Sequence, residues 1–393
     1  MYDLPAVALS ELQARFTRIT HYPRESKAEV CLRDGQCLQT PLGEDLTDSS
    51  LREITYDFDT RAIFMVTARG ERLDIDPRVH LGSPRFCPVV YLDQAHWSTL
   101  AKRLHGSAQI NEEDARAADD LISIARNQQA IFPISSGHTL ETSALYNAKR
   151  QDLASTIFQI SRGWQMRHPI RVRKYEMAKV LSKGTSRSVD ATEREVFSTS
   201  PGTIDADKPD GPPYSGAETV AHLHFALTIA SALYDVLLDP ERVEPLKLTG
   251  WCEHHNRIAN DPVYLSRTRS QKRTDAFAIS LVDVANEALE VASSLGISDL
   301  EFVTSTLFEN LQTMPFLGLY ADVVDFRLSN RARWVPNDLI DMLYLGCAAA
   351  YADVVIAEKA ATNYLMRAWR ERPGRSPAVA TLSEGVDRLR DLL

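Results

Sequence analysis

Two apolar runs of strand length in this chain end on a carboxylate and turn at once into helix-forming sequence. The first, Phe86-Cys87-Pro88-Val89-Val90-Tyr91-Leu92, is closed by Asp93 and followed by Gln94-Ala95-His96-Trp97. The second, Asp353-Val354-Val355-Ile356-Ala357, is closed by Glu358. An apolar run that does not alternate with polar residues fits a strand buried on both faces, as in a parallel sheet covered by helices. In an open parallel sheet, ligands sit outside the carboxyl ends of the strands. The pattern therefore directs the chain to an α/β architecture with Asp93 and Glu358 on one rim. Asp353 opens its strand and belongs on the opposite edge, in a structural role.

Three further acids are expected on that rim. Ala130-Ile131-Phe132-Pro133-Ile134 reads as a third strand beside the first, and Ser135-Ser136-Gly137-His138-Thr139-Leu140-Glu141 follows it. Asn337-Asp338-Leu339-Ile340-Asp341 opens a helix in which Asp338 and Asp341, three residues apart, share a face. Each acid also has a plainer role. Asp93 can cap a helix, Glu141 can complement a helix dipole, and Asp338 with Asp341 resembles a capping box. Lys359 can neutralise Glu358. Taken together, Asp93, Glu141, Asp338, Asp341 and Glu358 would repel one another unless a cation sat among them. Oxygen-only ligands suit a hard divalent ion, Mg²⁺ or Mn²⁺. Asp93, Glu141, Asp341 and Glu358 are the expected ligands.

Residues 1–84 read as a separate β-rich module with a leading helix. Its strand-like stretches are Lys27–Leu32, Arg52–Phe58 and Ala62–Ala68, with turns at Arg33-Asp34-Gly35 and Ala68-Arg69-Gly70. Pro77, Gly82-Ser83-Pro84 and Pro88 mark its exit. Residues 85–393 then form the α/β domain, with a large helical insertion at about 190–300. Within it, helices are expected near Trp97–His105, from Glu112 to Asn127 behind an Asn111 cap, and over Thr139–Ser161. Residues 198–216 read as a loop. Helix dominates from Gly216 to Phe326, most clearly over Ala276–Ala292.

No apolar stretch reaches the roughly 20 residues of a membrane span. The five scattered cysteines fit a reducing cytoplasm better than a disulfide framework. The net charge of −9 steers away from a nucleic-acid coat protein but leaves local patches open. One such patch runs from Arg162 to Arg187, where eight Arg or Lys residues face a single acid, Glu176. Arg162, Arg167, Arg171, Arg173 and Lys174, with Trp164, His168 and Tyr175 among them, fit phosphate contact with aromatic stacking on a single strand. The alternative is that these cations pair with acids of the helical insertion such as Glu287 and Glu290. Smaller basic groups stand at Arg267–Arg273 and at Arg327, Arg331 and Arg333. Trp251-Cys252-Glu253-His254-His255 and His222-x-His224 lack zinc-site spacing. Neither a glycine-rich phosphate loop nor a G-x-S-x-G elbow is present.

In order, Val90-Tyr91-Leu92-Asp93, the Glu141 segment, Asn337-Asp338-Leu339-Ile340-Asp341-Met342 and Tyr351-Ala352-Asp353-Val354-Val355-Ile356-Ala357-Glu358-Lys359 resemble the PIN-like domain family. The resemblance spans residues 86–190 and 300–370. It implies a parallel sheet with flanking helices, and a metal-dependent nuclease, mostly acting on RNA, whose acids hold one or two divalent ions. Two departures stand out: Glu358 where the family usually shows Thr and Asp, and the large insertion before Asp338. On this reading, single-stranded RNA is the partner and no membrane is involved. An inhibitory protein and a homodimer are left open. The rival reading is an inactive PIN-like scaffold that binds RNA or a protein.

Overall fold

The computed structural model describes residues 9–41, 49–60, 62–75, 87–106, 110–184, 196–199, 202–206, 237 and 249–393. The expected module exit at Pro77 and Gly82–Pro84, Arg187, most of the 198–216 loop, and His222-x-His224 lie outside those residues. Six strands open the chain: β1 (Phe16–Tyr22), β2 (Lys27–Leu32), β3 (Cys37–Pro41), β4 (Leu51–Asp57), β5 (Ile63–Thr67) and β6 (Arg72–Ile75). Five short ones come later: β7 (Val90–Leu92), β8 (Gln165–Met166), β9 (Phe197–Ser198), β10 (Val354–Ile356) and β11 (Ala378–Val379). Among the described residues the result is mixed α/β, with a six-stranded antiparallel sheet, a three-stranded parallel sheet and the antiparallel pair β8-β9.

Two compact units divide the chain, and each is discontinuous in sequence. The first takes residues 1–87, 97–166 and 197–244. Its antiparallel sheet runs β3-β2-β1-β4-β5-β6 behind the helix Leu9–Arg15, as a β-rich module with a leading helix requires. Along β5 the residues alternate: Ile63, Met65 and Thr67 are buried and those between are not. Gly35 (φ +89°) turns the β2–β3 hairpin, where its N–H reaches Leu32 O at 3.1 Å. The expected boundary near residue 84 does not set this sheet apart as a module of its own, because side chains tie it to the helix Asn147–Ser161. Arg69 pairs with Asp152 at 2.9 Å, and the Ser155 hydroxyl donates to Glu71 at 2.6 Å.

Asn111 caps the helix Glu112–Arg126 by accepting the Asp114 N–H, as read from the sequence. The continuous helix expected over Thr139–Ser161 is two helices, Ser136–Ser143 and Asn147–Ser161. Over the expected strand Ala130–Ile134, Ile131 and Ile134 form isolated bridges and no named strand. Ile134 makes a single parallel bridge to Gln165 in this same unit. Pro133 has no N–H to give to a ladder, which disfavours a central strand there.

The second unit takes residues 88–96, 167–196 and 245–393. Its sheet is parallel, in the order β11-β10-β7, with Val354 opposite Val90 and Ile356 opposite Leu92. All of β7 and β10 is buried. Each such aliphatic side chain contributes about 1.5–3 kcal/mol on burial. Asp353 acts structurally, as expected, accepting the Val89 N–H at 2.7 Å. The helix Leu382–Arg390 lies tight on this sheet. A Cβ at Gly385 would stand 2.1 Å from Ile356 Cδ1, so any other residue there would force the Ile356 side chain to move.

From residue 249 the insertion is helical: Thr249–Ala259, Pro262–Ser266, Arg269–Asp283, Ala285–Ser294 and Leu300–Asn310. Ala276–Ala292 is not one helix, since Val284 (φ −113°) ends one and begins the next. Two more helices come after it, Pro315–Ser329 and Asn337–Tyr351. The first has no side-chain cap of its own. Glu176, buried on the helix Pro169–Leu181, accepts the Phe316 and Leu317 N–H groups at 2.7 and 2.9 Å and the Tyr351 hydroxyl. Burial pushes its pKa up, against the pull of those hydrogen bonds.

The cysteines depart from the expectation of a wholly reduced set. Cys31 and Cys37 are disulfide-bonded, while Cys87, Cys252 and Cys347 are free. They meet because a short hairpin sets them opposite each other, which spacing alone does not reveal. Among the described residues, no helix is long and apolar enough to cross a membrane.

Candidate functional site

At the carboxyl end of the parallel sheet, β7 and β10 each pass directly into helix. The ladder continues one residue past β7, with Asp93 N–H donating to Ile356 O at 2.8 Å. Asp93 and Glu358 thereby stand on adjacent strand ends, as the sequence required. The Asp93 carboxylate meets the backbone at the start of both helices. Its Oδ1 accepts the Gln94 N–H at 2.8 Å, and its Oδ2 lies 3.4 Å from the Glu358 N–H. One carboxylate thus faces two helix N-termini, where the helix dipoles favour negative charge.

The helix Asn337–Tyr351 brings Asp338 and Asp341 to the same place. Asp93, Asp338, Asp341 and Glu358 line one cleft enclosing about 610 Å³, part of it open to solvent. Among the described residues Arg327 is the single cation in its wall, and Tyr320, Met342, Leu345 and Tyr364 supply an apolar side. Solvent in the cleft reaches Asp341, but protein crowds its carboxyl on the other sides. That desolvation, then the charges of Asp93, Asp338 and Glu358, push its pKa up to about 7, against the opposing pull of Arg327.

Asp338 is held differently. Arg327, only 3 % exposed, grips it through both guanidinium nitrogens at 2.8 and 2.7 Å. Asp338 Oδ2 also accepts the Val335 N–H at 2.6 Å. The capping box expected of Asp338 and Asp341 is absent, because Pro336 holds the cap position. The Arg327 guanidinium lies 4.0 and 4.7 Å from the ring centroids of Trp334 and Tyr364. The sequence placed Arg327 in a solvated basic group, but it is a buried member of the cleft. Its partners come from separate elements, so no linear motif announces it.

Glu141 lies exposed on the helix Ser136–Ser143, which belongs to the other compact unit. The remaining carboxylates are looser than a direct chelate. Among the described residues, the one trio of ligand atoms within 4.8 Å of one another is Glu29, Cys31 and Cys37, away from the cleft acids. The cleft oxygens suit a hard ion that keeps part of its water shell, as Mg²⁺ does with one or two carboxylates and a substrate phosphate.

The basic segment follows the pairing alternative in part. Arg173 is buried and forms an ion pair with Glu287, and Lys174 lies 2.5 Å from Glu290. Both are thereby withdrawn from the expected phosphate-binding role. Arg167 is buried and Arg171 half-buried. Arg162 belongs to the other unit, where it ends the helix Asn147–Ser161 at φ +50°. The second basic group is paired too, Arg269 with Asp325 at 2.6 Å and Arg267 with Asp275 at 3.5 Å. Arg331 and Arg333 are exposed just before the helix that carries Asp338. His255, from the weak zinc candidate, is a core histidine. It stacks on Trp251 at 3.9 Å, and its Nε2 lies 3.3 Å from Asp283.

No family model matches this chain, and neither a curated protein nor a solved structure matches it.

Proposed function

We propose that this chain is a PIN-like, metal-dependent endoribonuclease. The observation that carries the reading is the convergence of Asp93, Asp338, Asp341 and Glu358 on one cleft at the carboxyl end of a parallel sheet. Burial first, and then the charges of the other three, push the Asp341 pKa up to about 7. Asp93, Asp341 and Glu358 would hold Mg²⁺ or Mn²⁺. A bound ion of this class activates water and stabilises charge on a phosphate under attack. Arg327 keeps Asp338 turned toward itself and offsets part of the acidic field. Asp338 therefore orients the site more than it ligates. With Arg173 and Lys174 committed to Glu287 and Glu290, exposed cations such as Lys359, Arg331 and Arg333 would contact an RNA backbone.

One observation favours the rival, a silent scaffold: no three cleft oxygens lie within chelating reach of one another. The same experiment decides between the two. Purified protein is incubated with end-labelled single-stranded RNA and Mn²⁺, with and without chelator, beside Asp93→Asn. Cleavage that needs both the metal and Asp93 supports the nuclease. RNA binding without cleavage by either protein supports the scaffold.

A further inference from the structure

In the N-terminal sheet, Cys31 on β2 stands directly opposite Cys37 on β3, with Cα atoms 4.1 Å apart. The adjacent pair carries a ladder bond, Leu32 N–H to Gln36 O at 2.8 Å. Cys31 and Cys37 therefore occupy a non-hydrogen-bonded position, where facing side chains come closest. The hairpin is held without the disulfide. Gly35 N–H closes the turn on Leu32 O, Asp34 accepts the Gln36 N–H at 2.9 Å, and pairing continues to Lys27 opposite Pro41. Cleaving the bond leaves two thiols presented side by side.

A third donor is already in place. Glu29 precedes Cys31 by two residues and so shares its face of β2. Its Oε1 lies 3.7 Å from Cys31 Sγ, and its side chain is 14 % exposed. In the disulfide the sulfur has no proton to donate, so this contact is proximity alone. Arg18, 3.6 Å away, and Gln39, 3.0 Å away, hold the carboxylate at the sulfurs.

We propose that Glu29, Cys31 and Cys37 form a site for a thiophilic divalent cation of the Zn²⁺ class, opened by reduction and closed by oxidation. A dithiol reductant attacks the sulfur of exposed Cys37, and Cys31 leaves as a thiolate. The second reductant thiol then displaces Cys37, and the reductant departs as a cyclic disulfide, having supplied two electrons. Zn²⁺ binding releases any proton left on either sulfur, and two thiolates and a carboxylate surround the ion, with water as the fourth ligand. This donor set is softer than the acidic cleft and selects a different metal. The buried thiols of Cys252 and Cys347, both with raised pKa, are poor competitors.

The test uses the full chain, oxidised or reduced with a phosphine, dialysed against Zn²⁺ in excess Mg²⁺ to occupy oxygen-only sites. Reduced wild type should bind one Zn²⁺ more than oxidised wild type, and Co²⁺ should give a thiolate charge-transfer band in the reduced protein only. Cys37→Ser should lower the affinity roughly tenfold or more and abolish the band, while Glu29→Gln should weaken binding but keep it. Equal Zn²⁺ binding by reduced and oxidised wild type would overturn the site without recourse to any variant. So would a Cys37→Ser protein that is folded by circular dichroism and binds as wild type does.

Discussion

The helix Pro169–Leu181 and the acidic cleft each concentrate like charge in a few turns of chain, yet they resolve it differently. The helix meets acids of another helix, and the Arg173–Glu287 and Lys174–Glu290 pairs neutralise two of its cations. In the cleft, Arg327 answers Asp338, and three carboxylates are left facing one another. Charge density in the sequence was similar evidence in both places. What separates them is compensation. A paired cluster is a packing device, whereas an uncompensated one holds free energy that a ligand of opposite sign releases.

The comparison breaks most visibly at Asp93. Asp93→Asn should cut Mn²⁺-dependent RNA cleavage by about 10²–10³-fold, the scale on which single preorganised electrostatic groups act. Initial rates at saturating RNA measure this, and an unchanged rate would leave the cleft without a catalytic role. Next in size is Arg173→Ala, which strands Glu287 in a mostly buried position. Breaking such a pair from one side costs about 3–5 kcal/mol. Chemical denaturation should show that loss, while the salt dependence of RNA binding stays as in wild type. A flattened salt slope instead would return Arg173 to the substrate.

A smaller effect should follow pH through Asp341. Its folded pKa of about 7 lies above the ordinary carboxylate value of 3.8. The folded protein therefore binds this proton more tightly than the unfolded chain does. The stability this contributes is fully present below about pH 4 and is lost as pH rises through 7. Asp341→Asn should remove that pH dependence and be more stable than wild type at pH 8. Solvent access limits the gain to about 1 kcal/mol. Mg²⁺ should stabilise wild type at pH 8 and leave Asp341→Asn unmoved, both read as melting temperature. The smallest effect is expected at Lys174→Ala. Its pairing with Glu290, whose side chain is 63 % exposed, is a surface contact, so the change should stay within about 0.5 kcal/mol.

The sequence revealed those parts of the molecule whose signal is local. The β7 and β10 runs are short, fully apolar and end on acids, so their burial and the rim position of Asp93 and Glu358 could be read directly. The Asn111 cap and the alternating β5 strand were legible for the same reason. Contacts across long separations were not. Ala130–Ile134 carries as apolar a signature as β7, and nothing in it says that its partner is Gln165. Arg327 and Arg173 look alike in sequence to solvated cations. Their burial depends on Trp334 and Tyr364 in one case and on Glu287 in the other.

Glu176 has a consequence for how this chain can vary. Its two partners on the helix Pro315–Ser329 are backbone N–H groups, which every residue type but proline supplies. Positions 316 and 317 can exchange side chains, subject to packing, and keep the contact, yet neither tolerates proline. Tyr351 is bound through its own hydroxyl, at the far end of the following helix. Among descendants of this sequence, a change at 176 to an apolar residue should therefore travel with a change at 351, and leave no mark at 316 or 317. An alignment of such sequences would show a correlated pair where the structure holds a three-way junction.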